Sequence, residues 1–173
     1  MIEKMIKYGW YTLFIAMVGD VLLSLVFPWF YTGYSSMKMS ISALGNPQSP
    51  VRGMFNTWML MEGLLFLLGI PALYKHYHSV SGALTYTMIL FIVVFAVGAC
   101  VLTCFFSVNE SKDIVTTASK IHGMGSVLGF ILFLFVPLLL AILSFKSKDI
   151  EIGIVSVICF FSYDFLCFVC YVR

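Results

Sequence analysis

A few side chains in this sequence carry chemistry that is out of place among their neighbours. Asp20, Glu62, His122 and Asp164 are ionisable groups inside long apolar runs. At the centre of a membrane-spanning helix such a group costs at least ~2.5–3.5 kcal/mol on insertion scales, so each one needs a reason. Carboxyl groups and an imidazole brought together can carry protons, hold a cation or accept hydrogen bonds from a ligand. Arg52 and Asn56 stand at i and i+4 where a helix is expected to begin, which puts them on one face. Arg52 is placed to hold an anion or to oppose Glu62. Ser42 belongs to the polar, proline-broken stretch SISALGNPQSPVR that precedes them.

The elements that must position these groups follow from composition. The chain has 173 residues, 61% hydrophobic and 10% charged. A soluble domain carries about 25% charged residues, and a chain this short has too little interior for so much apolar surface. The expected fold is an all-α, polytopic transmembrane bundle forming one integral membrane domain over 1–173, multi-pass in the cell membrane. Five runs are long enough to cross a core about 30 Å thick: 8–30, 54–74, 83–107, 118–145 and 150–171. Pro71 and Pro137 within them do not argue against helix, because neighbouring spans satisfy the freed backbone groups. A net charge of +2 without a basic run excludes a nucleic-acid partner. All five cysteines lie in apolar runs and are expected to act as small buried hydrophobes, not as disulfides or metal ligands.

Lysine and arginine counts tie between the two sides, so they do not fix the orientation; Lys4 and Lys7 beside the first span favour an inside N-terminus. One inference survives the tie. The connections 31–53 and 108–117 are separated by two crossings and share a membrane face, whereas the short turns lie opposite. At 1.5 Å per residue, Glu62 lies roughly 12 Å below that shared face, His122 roughly 6 Å, Asp164 roughly 10 Å and Asp20 roughly 15 Å. Their depths agree, so the long polar loop is expected to cap a cavity that they line. In the fourth span Gly125 and Gly129 have GxxxG spacing, which serves close helix packing or opens an approach to His122.

Several mechanisms fail on spacing. His76 and His78 lie in the second connection, on the face opposite His122, so neither a bis-histidine haem nor a three-histidine zinc site can form in a regular bundle. No P-loop, GxGxxG or GxSxG is present, and the CxxC at Cys167 and Cys170 lies in an apolar run without the second pair that would complete a metal site. No cofactor and no resident metal are expected. The favoured reading is binding of a membrane lipid or small amphiphile in a polar cavity open to one face, lined by Asp20, Ser42, Arg52, Asn56, Glu62, His122 and Asp164. A metal-dependent or Ser/His membrane hydrolase and a small proton-coupled transporter stay open as alternatives.

The order of SISALG after the first span, Pro-Arg-Asn entering the second and a histidine opening the fourth resembles a group of prokaryotic membrane proteins, the domain of unknown function 998. The matching positions are Ser42, Leu44, Gly45, Asn56, Gly63 and His122. The resemblance implies six spans and carries no chemistry with it. The sequence shows five, ending at Arg173, so a sixth span is expected to be missing. A second copy or a helper membrane subunit would then cover the gap.

Overall fold

A computed structural model of the chain describes the backbone of residues 1–108 and 116–172 and the side chains of 1–108 and 116–162. The described chain is a helical bundle without strands: α1 Ile2–Val26, α2 Arg52–Tyr77, α3 Gly82–Phe105, α4 Thr117–Lys146 and α5 Ile150–Val172. A 3-10 turn, Phe27–Phe30, prolongs α1. With it, α1 to α4 are each long and apolar enough to cross a membrane, the signature of a multi-pass membrane protein. The described side chains of α5 cover a shorter apolar segment, Ile150–Ser162. Helix is the only open-ended answer for these sequences, because in hydrocarbon each backbone N–H and C=O must be satisfied within its own segment.

Small residues set the helix contacts. In α1 the buried residues are Gly9, Ala16 and Leu23, seven apart, one stripe laid against α2. The second crossing is tighter. A Cβ added at Gly98 of α3 would stand 2.7 Å from the carbonyl oxygen of Gly125 in α4, and one at Gly125 would stand 2.6 Å from that of Gly98. Gly129 lies against Ala99 in the same way. The GxxxG face is therefore a packing face, spent on α3.

Two irregularities depart from the simple spans of the sequence reading. From Phe95 to Val101, α3 is wound as a π-helix. The fourth span, expected as one helix over 118–145, is two segments, Thr117–Phe133 and Val136–Lys146. Pro137 explains the break, since it has no N–H to give to the carbonyl four residues back. At the other end α1 starts at Ile2, so Lys4 and Lys7 ride on the helix before the apolar run begins.

The long first connection folds inward. Its Ile41–Gly45 segment is a 3-10 turn, and Leu44, Gly45, Asn46, Ser49 and Val51 are buried. Leu44 is the anchor, fully enclosed in a cluster with Leu23, Val51, Phe55 and Met59. This connection is a lid set into the bundle.

Candidate functional site

Beneath the lid lies a cavity of about 130 Å³. Asp20 and Ser24 come from α1, Ile41 and Ser42 from the lid, Phe55, Met59 and Glu62 from α2, Phe95, Ala99, Cys100 and Thr103 from α3, and His122, Ser126 and Phe130 from α4. Each water needs ~10–15 Å³ of such space, so the cavity has room for several waters or one small polar group. A second space of about 280 Å³ adjoins it. This cleft runs between α1 and α4, past Met17, Val21, Phe66, Phe133 and Pro137, and Cys159 of α5 borders it. Asp20, Glu62, Phe95 and Phe130 line both spaces, so the two acids and two aromatic rings form the neck between them. Met17 and Val21 are exposed on the outer surface of the bundle, so the cleft opens sideways.

Glu62 is only 2% exposed, yet its Oε2 has no hydrogen-bond partner. The Trp58 indole lies beside it, one turn back on α2, outside hydrogen-bonding geometry. The same indole lies across Gly19, which locks α1 to α2 at the level of the acids. Gly63 permits the matching approach of α3: a Cβ there would meet the Ala96 carbonyl oxygen at 2.7 Å. On α4, His122 Nδ1 lies 2.8 Å from the Phe106 carbonyl. A carbonyl can only accept, so Nδ1 carries the proton, and Nε2 of the neutral ring is an acceptor. Thr103 Oγ1 donates to the Ala99 and Cys100 carbonyls, both at 2.7 Å, within the π segment.

The lid is held by its own polar bonds. Asn46 accepts from the Gln48 N–H at 2.8 Å and donates to the Tyr31 hydroxyl at 3.3 Å. Tyr34 donates to the Ser40 carbonyl at 3.2 Å, and burial pushes its phenol up, which keeps it a neutral donor. Ser40 and Ser42 share a hydroxyl hydrogen bond of 2.9 Å.

The family described as "Protein of unknown function (DUF998)" matches residues 14–168, a stretch that holds every residue lining the cavity and the cleft. The chain belongs to the DUF998 family. No curated protein and no solved structure matches it.

In this DUF998 chain the residues singled out from sequence divide. Asp20, Ser42, Glu62 and His122 stand around one cavity. Arg52 and Asn56 do not line it, which corrects the expectation for both. Arg52 is the first residue of α2 and is exposed. It lies roughly 15 Å along the axis from Glu62, with Phe55 and Met59 filling the wall between them. Asn56 turns toward the lid instead: a Cβ on Gly45 would stand 2.9 Å from its Oδ1, an atom that is buried and without a partner. It supports the roof from outside. The side chain of Asp164 lies outside the described residues.

Thr103 and Trp58 were not anticipated. The π segment of this DUF998 chain adds a residue to one turn of α3, which rotates everything after it by about 100°. Face-counting along a regular helix therefore misplaces Thr103. Trp58 offered no signal, because an aromatic in a span is ordinarily lipid-facing or interfacial.

Among the described residues no three His, Cys, Asp or Glu side chains converge on a point where a metal ion could sit. A serine nucleophile with His122 as base would want a carboxylate on Nδ1 to orient the ring. Here that nitrogen is committed to a backbone carbonyl, and Ser42 is bonded to Ser40.

Proposed function

We propose that this DUF998 protein binds an amphiphile, with the polar head in the lidded cavity and the apolar chain in the lateral cleft. The single observation that carries the reading is the shared neck: Asp20 and Glu62 line both spaces. Sites for drug-sized molecules occupy ~300–1,000 Å³. The cavity alone, at about 130 Å³, falls short of that and suits only a head group. Joined to the cleft of about 280 Å³, it gives an elongated site, polar at one end and aromatic at the other. The sideways opening suits a ligand that arrives from the bilayer rather than from water.

The test is native mass spectrometry of the protein gently extracted from membranes. Wild type should carry a co-purifying amphiphile of defined mass. Glu62→Gln and His122→Ala should lose most of it while remaining folded by circular dichroism. A wild-type protein that retains nothing beyond detergent, or two variants that keep the same bound mass at the same occupancy, would end the proposal.

A further inference from the structure

The head-group chemistry can be argued one step further, on the footing that the cavity is a head-group site. We infer that it selects a cationic, amine-type head over an anionic or neutral one. The geometry points this way through its inventory of donors and acceptors. Among the described residues of the lining, the two carboxyl groups, Asp20 and Glu62, stand without a lysine or arginine. The arginine expected to stand against them, Arg52, is outside. His122 gives its one ring proton to the Phe106 carbonyl and presents an acceptor. Thr103 spends its proton on backbone carbonyls. What remains, beside the hydroxyls of Ser24, Ser42 and Ser126, is a set of acceptors, with one oxygen of an enclosed carboxyl, Glu62 Oε2, unsatisfied.

Buried polar atoms ordinarily have partners, and an exception asks for one that the chain does not supply. An ammonium head brings up to three donors and a positive charge to the neck where both acids stand. A phosphate or carboxylate head would bring negative charge beside two acids, with no lysine or arginine among the described lining residues to meet it. An alcohol head could donate once and would gain nothing from charge.

The probe set is three molecules that share one mid-chain dibrominated long alkyl chain: a primary amine, an alcohol and a phosphate monoester. Bromine quenches indole at contact range, and the protein has three tryptophans. Trp10 and Trp29 are exposed and can be changed to Phe, which leaves Trp58, beside Glu62, as the reporter. The full chain is placed in phosphatidylcholine nanodiscs. Only quenching that saturates and is reversed by the unbrominated amine is scored, which removes simple partition into the bilayer.

The amine should quench with a midpoint at least about tenfold lower than the alcohol, the scale of one charge-assisted hydrogen bond, and the phosphate should be weakest. Asp20→Asn and Glu62→Gln, made separately in case one fails to fold, should each shrink the amine-to-alcohol ratio. Equal midpoints for all three heads, or a preference for phosphate, would overturn the amine assignment and leave the amphiphile reading in place. Absence of saturable quenching by every probe would instead remove the amphiphile reading and this inference with it.

Discussion

The two halves of α2 treat buried polar groups in opposite ways. Toward the short turns, Tyr77 is buried and its hydroxyl lies 3.0 Å from that of Ser144, itself fully enclosed. Thr85 nearby donates to the Ser81 carbonyl at 2.8 Å. Toward the lid, the buried side-chain atoms left without a partner among the described residues are Asn56 Oδ1, Trp58 Nε1 and Glu62 Oε2, all within the first three turns of the same helix. One half is closed within itself and the other is left open. Satisfied polar groups in a membrane bundle are scaffold, because an orphaned one costs free energy that packing alone does not return. On the proposed reading, the orphan beside the cavity, Glu62 Oε2, is the one that the ligand's head group completes.

Three substitutions test that contrast, taken in order of size. The largest effect belongs to the joint that both halves depend on. Gly125→Val would drive side-chain atoms into the Gly98 backbone, where even a Cβ stands 2.6 Å from the carbonyl oxygen. A loss of about 3 kcal/mol is expected, the upper end of overpacking costs, read as an earlier unfolding midpoint in detergent micelles. An unchanged midpoint would mean that α3 and α4 do not cross there.

The second substitution separates the halves. Glu62→Met removes an orphaned carboxyl and keeps its bulk, so the ligand-free protein should gain about 2 kcal/mol. The same variant should lose the bound amphiphile in native mass spectrometry. A less stable ligand-free protein would show that Glu62 is bonded within the bundle, and the contrast would fail at its centre. The smallest effect is the mirror case. Tyr77→Phe leaves Ser144 without its partner and should cost about 1 kcal/mol, with bound amphiphile unaffected. If it changed occupancy instead, the scaffold half would not be independent of the site.

Much of this arrangement was legible in the sequence, and what was hidden has specific causes. The helices, and the shared side of the lid and His122, follow from hydropathy and from counting crossings. The depths of Asp20, Glu62 and His122 follow from the fixed rise per residue. Arg52 and Asn56 were misjudged because proximity along the helix was taken for proximity to the cavity. The buried anchor Leu44 and the Asn46 bonds fold the lid into the space they were expected to face. Thr103 was hidden by the π segment, which breaks the helical count.

By itself, the sequence determined the helical membrane class and where the apolar runs and the ionisable groups within them fall along the chain, since length and hydropathy are local properties. Only the tertiary structure decided which groups meet. A helix that is apolar on every face does not reveal which face turns inward, because no hydrophobic stripe distinguishes one from another. Rotation about each axis is set by contacts with other helices, where small residues let backbones touch. In this chain those contacts are Gly19 under Trp58, Gly63 on Ala96 and Gly98 on Gly125. They turn Asp20, Glu62 and His122 toward one another.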